Sequence, residues 1–168
     1  MKKALLGLLL EGICIGLFGF SSSAAGYSEI GEYGRPGCLV AETGEDIEEE
    51  IYYDELELLA QLVEAEAGNQ PFEGKCLVVD TILNRVESPD YPNTITEVIF
   101  QKNPIQFTTT VNGALEKAGY SMKEDDYSAV MYEVELHTNK EVMNFNNSPN
   151  VSGRGAKFKV GGHWFRNG

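Results

Sequence analysis

The stretch LVEAEAGNQPFEGK, residues 62–75, puts a carboxylate where a helix should be apolar. At about 100° per residue from Leu58, the side chains of Leu58, Leu59, Leu62 and Val63 share one face roughly 140° wide, and Glu66 falls near its middle, at about 80°. Glu57 and Glu64 fall on the opposite side with Gln61 and read as a solvated face. Gly68-Asn69 then marks the helix stop. A carboxyl group held against apolar walls loses hydration of its charged form, so its pKa rises. Such a Glu at the mouth of a cleft suits a general acid near neutral pH. The same placement also suits a Glu that pairs with an Arg or caps a neighbouring backbone.

Other chemistries have thinner support. The chain has three cysteines and two histidines, His137 and His163, with no Cys-x-x-Cys pair, which disfavours a zinc site and a metal-dependent hydrolase. The net charge of −13 argues against a broad nucleic-acid footprint. After Glu141, however, there are no acids, only Arg154, Lys157, Lys159 and Arg166 among the charged residues. That end suits contact with an anionic polymer, or a strand edge guarded by lysines.

The elements that must position Glu66 follow from the rest of the chain. Residues 1–25 read as a signal peptide: Lys2 and Lys3, an apolar stretch interrupted by Glu11, then small residues ending at Ala24-Ala25. A retained anchor is the alternative. Residues 26–53 are acidic and rich in Gly, and read as a poorly ordered linker. Export would permit a Cys38–Cys76 disulfide, although Cys76 also suits a buried position.

Residues 54–168 should form the folded domain. A helix is expected over 54–67 and a second from Pro71 to Ser88-Pro89. ITEVIF reads as a short helix and residues 101–120 as an irregular loop lining a cleft. Ser121 and Glu124 form a candidate capping box for a helix over 122–138, with Val130, Met131 and Val134 inward. EVMNFNN reads as a strand, and KFKVGGHWF as strand, Gly-Gly turn, strand. The sum is a small α+β domain, helices first, with a short C-terminal β-hairpin.

Several of these stretches line up with a known family. LNRVESPDYPNTITEVIF (83–100), PFEG (71–74), QFT (106–108), NFN (144–146) and VGGHWF (160–165) together resemble the spore-cortex-lytic, cell-wall hydrolase family of the SleB/CwlJ type. The likeness runs from about Leu58 to the C-terminus and implies a lysozyme-like catalytic domain. The family's catalytic Glu lies in a segment similar to Gly-Glu-Ala-Arg-Gly-Glu, which is AEAGNQ here, so the role maps onto Glu66. Ala65, Gly68, Asn69 and Gln70 replace the family's Gly, Arg, Gly and second Glu.

The resemblance implies cleavage of peptidoglycan glycan strands between N-acetylmuramic acid and N-acetylglucosamine, outside the cytoplasm, in cell-wall or spore-cortex turnover. It implies no cofactor, metal, nucleic-acid partner or membrane partner beyond the signal segment. A lytic transglycosylase needs one carboxyl group, Glu66. A muramidase-type hydrolase would need a second carboxylate across the bond, with Glu64, Glu73 and Asp80 as candidates; Glu64 lies on the wrong helix face, and Glu73 suits a first-turn acid. A non-catalytic wall-binding module is a further alternative.

Substrate-binding roles would fall to Gln106 and Thr108 as hydrogen-bonding groups, to Phe107 and Phe145 as stacking rings or core aromatics, and to Asn84, Asn146 and His163. Arg85 is expected to pair with an acid near the second helix.

Overall fold

The structure is a computed structural model that describes residues 44–168. The signal segment, most of the linker and Cys38 lie outside the described residues, and with them the expected signal and the Cys38–Cys76 disulfide. Residues 49–168 form one compact unit. Among the described residues no helix is long and apolar enough to cross a membrane.

Helix α1 spans Gly44–Ala67. It therefore begins well before the expected Asp54 and takes in residues 44–53, read above as the end of the linker. Glu is a good helix former, and acids near a helix N-terminus complement its dipole, so the acidic run extends the helix. Of the expected apolar stripe, Leu59, Leu62 and Val63 are fully buried and Leu58 is partly buried against them; Ala60 and Ala67 join the buried face.

Helix α2, Phe72–Glu87, starts after Pro71, has Glu73 in its first turn and ends at the extended Ser88 that precedes Pro89. It is the central element, packing on α5, the first strand and α3. Val78, Val79 and Ile82 are its fully buried apolar residues. Helix α3, Ile95–Ile99, is capped by Thr94, whose hydroxyl accepts the Glu97 N–H at 3.2 Å. The expected loop over 101–120 contains a 3₁₀ turn, Thr108–Thr110, and the short helix α4, Ala114–Ala118.

Helix α5 is Glu124–Leu136. Its N-terminal bond is not the expected Ser121–Glu124 box: Asp126 Oδ2 accepts the Lys123 N–H at 2.8 Å. Met131 is also not inward but 52% exposed. The buried stripe of α5 runs through Asp126, Ala129, Val130 and Glu133, an i, i+3, i+4, i+7 pattern whose ends are acids. Asp126 meets Lys75 in a buried ion pair at 2.8 Å. Glu133 accepts from the Thr138 hydroxyl at 2.9 Å and the Thr138 N–H at 2.7 Å, beside the buried Asp80, which accepts the Asn139 N–H at 3.0 Å. A pattern search for apolar residues passes over such a stripe because its partners come from elsewhere in the chain.

Strands β1 (Val142–Asn146), β2 (Lys157–Val160) and β3 (His163–Asn167) form an antiparallel sheet in the order β1-β3-β2. The expected hairpin, β2–β3, is thus two-thirds of a sheet that β1 completes. One sheet face carries Phe145, Phe158, His163 and Phe165 toward the helices; Phe165 is fully buried. At the hairpin turn Gly161 has φ +55°, and a Cβ there would sit 2.6 Å from Gln70 Oε1 and from Pro71 Cδ. The turn is therefore pressed against the α1–α2 loop, and this brings the sheet to the end of α1.

Candidate active site

The last turn of α1 opens into a cleft of about 610 Å³. Glu64 and Glu66 of α1, Gln70 of the α1–α2 loop, Lys123 before α5, Asn147 after β1, and His163 of β3 line it. Elements distant in sequence meet here because the sheet turn docks on Gln70, whose Oε1 accepts the Gly162 N–H at 2.6 Å.

Glu66 is half-buried, and burial raises its pKa above the ordinary carboxylate value. The Thr109 hydroxyl donates to Glu66 Oε1 at 2.6 Å, which opposes that rise and fixes the carboxyl's orientation. No basic side chain pairs with Glu66 among the described ion pairs. The arrangement is a carboxyl lining a cleft, with its protonated form favoured by burial and its ionised form by the Thr109 hydroxyl, so it is suited to giving and taking a proton.

Glu64 differs. It lines the same cleft, so its expected place on a remote face is corrected, but Lys123 Nζ binds both its oxygens at 2.8 and 3.0 Å and also the Gly68 carbonyl at 3.0 Å. Lys123's pKa is raised, first of all by the hydrogen bond to Glu64. The two carboxylates of one helix end thus have different environments: one partnered by a cation, one desolvated.

The remaining expected residues separate. His163 is buried, lines the cleft, and packs its ring against Phe145 at 5.6 Å; burial lowers its pKa, so it is a neutral imidazole at neutral pH. Asn146 is exposed at the end of β1, next to the cleft-lining Asn147, with its Oδ1 accepting the Ser148 N–H at 2.9 Å. Gln106 is half-exposed and leans on the Pro104 carbonyl at 3.5 Å. Thr108 is exposed and begins the 3₁₀ turn, while its neighbour Thr109 makes the bond to Glu66.

Phe107 is a core ring, 3% exposed, held between the Arg85 guanidinium at 5.4 Å and Phe145 at 6.0 Å. Phe145 is surrounded by Phe107, His163 and Phe165, which leaves it a packing ring rather than a free platform.

Asn84 is not in this cleft. It is buried, donates to the Asn139 and Val142 carbonyls at 2.8 and 2.7 Å, and accepts at Oδ1 from His137 Nε2 at 2.8 Å, so it ties α2 to the start of β1. It borders a separate hollow of about 710 Å³ that contains no Glu66. Among the described residues Arg85 pairs with no acid; its Nε donates to the Met143 carbonyl at 3.0 Å, and its guanidinium carbon lies 5.2 and 5.4 Å from the ring centres of Tyr91 and Phe107. Among the described residues no group of three His, Cys, Asp or Glu is placed to hold a metal.

Sequence reasoning missed Thr109, Gln70 and the Glu64–Lys123 pair. Three consecutive threonines, 108–110, offer no periodicity that selects one. Gln70 was visible only as a replacement, and its work is to hold the Gly162 turn.

The pattern of the family described as Cell Wall Hydrolase matches residues 69–165. The spore cortex-lytic enzyme of Bacillus subtilis (strain 168) is 40% identical over 62 residues, which is 37% of this chain and 20% of that one. The enzyme of the same description from Halalkalibacterium halodurans is 37% identical over 62 residues, 37% of this chain and 18% of that one. The matched stretch thus spans about a fifth of these relatives' length. The catalytic domain of the Bacillus cereus SleB protein superposes with a TM-score of 0.56 at 26% identity, covering 68% of this chain and 91% of that one. The catalytic domain of the germination-specific lytic transglycosylase SleB from Bacillus anthracis shares the fold, with a TM-score of 0.53 at 24% identity, covering 68% of this chain and 94% of that one.

Proposed function

Since the chain belongs to the cell wall hydrolase family, we propose that it cleaves the glycan strands of peptidoglycan as a lytic transglycosylase, with Glu66 as general acid and then general base. The observation that carries this is the half-buried Glu66 lining a cleft, its pKa raised by burial and its orientation set by Thr109.

The bond between N-acetylmuramic acid and N-acetylglucosamine lies over Glu66. Protonated Glu66 donates to the glycosidic oxygen as that bond breaks, releasing the leaving sugar with a free hydroxyl. The resulting carboxylate takes the proton from the muramic C6 hydroxyl, whose oxygen closes on the anomeric carbon. The product is a 1,6-anhydromuramic end, and Glu66 is again protonated. The raised pKa favours the first step; the Thr109 bond keeps the carboxylate form accessible for the second. The neutral His163 and Asn147 at the rim supply polar edges for acetamido and hydroxyl groups. Export to the cell envelope or spore follows from the nature of this substrate, and the Bacillus subtilis relative is named for the spore cortex.

A hydrolase is the second reading, because Glu64 shares the cleft. Lys123 Nζ occupies both of its carboxylate oxygens, which favours the single-carboxyl route. Digestion of purified cortex and vegetative peptidoglycan by wild type and Glu66→Gln, with products read by mass spectrometry, separates the readings. Anhydromuramic ends lost in Glu66→Gln support transglycosylation. Reducing ends identify a hydrolase. A bound but uncut glycan places the protein among wall-binding modules.

A further inference from the structure

Helix α1 ends in the turn that carries Glu66, and that turn has no basic residue of its own. The last carbonyls of a helix lack intrahelical donors and form the negative end of its dipole, so a cation stabilises them. Here the cation comes from another part of the chain. Lys123 Nζ donates to Glu64 Oε2 at 2.8 Å, to Glu64 Oε1 at 3.0 Å and to the Gly68 carbonyl at 3.0 Å. Glu64 and Gly68 flank Glu66 on either side in the sequence. One ammonium group therefore spans the position that carries the reacting carboxyl.

An exposed ion pair usually contributes little, and the Lys123 side chain is 53% exposed. Three observations set this one apart. First, an ammonium group has three N–H donors, and three acceptors meet them, which leaves none over for a sugar. Second, the root of the side chain is fixed. The Lys123 N–H donates to Asp126 Oδ2 at 2.8 Å, and Asp126 is itself fully buried against Lys75 of α2 at 2.8 Å. Third, position 68 has no side chain. A Cβ there would run into the Glu64 carboxylate, so Gly68 is what lets Glu64 fold back over the helix end toward Lys123. A line of contacts thus runs from α2 through the start of α5 to the last turn of α1.

We propose that Lys123 is a positioning residue for glycan cleavage: it clamps the Glu64–Gly68 turn to the start of α5 and so holds the backbone from which the Glu66 carboxyl extends. The inference rests on the glycan-cleaving reading and adds to it a residue that acts through Glu66 without touching the sugar. Thr109 fixes one oxygen of the carboxyl, and Lys123 fixes the turn that carries it. Small displacements of a reacting group cost rate rather than affinity, since a misplacement of about 1 Å can lower turnover about 10²-fold. A lysine that bound substrate in both ground and transition states would instead show in KM.

The test measures cleavage of soluble glycan strands, prepared from cortex and from vegetative peptidoglycan, by the full chain. Lys123→Met keeps the stem and removes the charge. It should lower kcat about tenfold and leave KM unchanged, with little movement of the urea unfolding midpoint. Lys123→Arg should restore most of the lost kcat, because a guanidinium can span the same acceptors. Adding Glu64→Gln to Lys123→Met should cost nothing further, since the two side chains act as one unit. Hydrogen exchange gives a readout without turnover. The Gly68 amide, which donates to the Glu64 carbonyl at 3.0 Å, should exchange several-fold faster in Lys123→Met and at the wild-type rate in Lys123→Arg. A raised KM at unchanged kcat would make Lys123 a substrate contact and overturn the proposal. Full activity in Lys123→Met, or a loss that Lys123→Arg shares, would overturn it too. Glu66→Gln is run beside these variants. A wild type that cuts no glycan, or a Glu66→Gln protein that cuts as fast, removes the glycan-cleaving reading and the role of Lys123 with it. Normal cutting by Lys123→Met beside an inactive Glu66→Gln removes only the clamp.

Discussion

Glu66, which lines the cleft, and Thr109, which bonds to it from behind the lining residues, divide the work. Burial raises the Glu66 pKa and the Thr109 hydroxyl lowers it again. Because the protonated form starts the reaction, activity should fall as pH rises through that raised pKa. Thr109→Val removes the bond that favours the ionised form, so this alkaline limb should move to higher pH. The lost orientation should slow turnover about tenfold, while Thr109→Ser keeps both properties. A pH–rate profile of the three proteins checks this, and an unmoved limb in Thr109→Val would assign the tuning elsewhere. Glu66→Gln leaves no proton to give and should cost about 10²–10⁴-fold in rate, the usual contribution of a general acid. The position of Glu66 was legible in the sequence because a charge in an apolar stripe breaks a local pattern. Thr109 was not, because its partner lies 43 residues away and three adjacent threonines look alike.

The elements bring these groups together through two fasteners. One is the Arg85 guanidinium, which lies over the Tyr91 and Phe107 rings at 5.2 and 5.4 Å and so anchors the turn that presents Thr109. The other is the β2–β3 turn, locked on Gln70. Gly161→Ala would force a Cβ to within 2.6 Å of Gln70 and Pro71 and strain a positive φ. It should destabilise the protein by roughly 1–2 kcal/mol and loosen the cleft. Urea unfolding should show the first effect, and a fall in activity larger than the unfolded fraction explains should show the second. The helices and strands were readable from their periods and punctuation. Helix α5 was readable in extent but not in orientation, since its inward stripe is Asp126, Ala129, Val130 and Glu133, and Met131 faces out.

Across the whole molecule, a polar seam joins α2 and α5. Asp80 and Glu133 are both fully enclosed, with Thr138, Asn139 and Cys76 around them. Desolvation first, then the neighbouring Glu133, pushes the Asp80 pKa up to about 8, against an ordinary 3.8. The folded protein therefore holds a proton that the unfolded chain releases. Stability should decline as pH rises from about 4 to about 8 and level off above. Asp80→Asn keeps an acceptor for the Asn139 N–H and removes the buried charge. It should flatten that decline and raise stability at pH 8 by about 1–3 kcal/mol. Denaturant unfolding of both proteins at pH 5 and pH 8 tests this, and parallel losses in the two would show that the seam's proton lies elsewhere.

What the sequence determined by itself was whatever repeats locally or interrupts a repeat: the α+β order, the apolar face of α1, the strand–glycine–strand end, and Glu66 as the discordant residue. What only the tertiary structure decided was partnership. Asn84 and Phe107 turned from candidate substrate contacts into a latch and a core ring, Arg85 found aromatic rings and carbonyls instead of an acid, and Glu64 entered the cleft already paired with Lys123. The physical reason is the same in each case. A polar side chain's role depends on which distant group meets its hydrogen-bonding capacity once water is excluded, and that group is chosen by packing rather than by spacing along the chain.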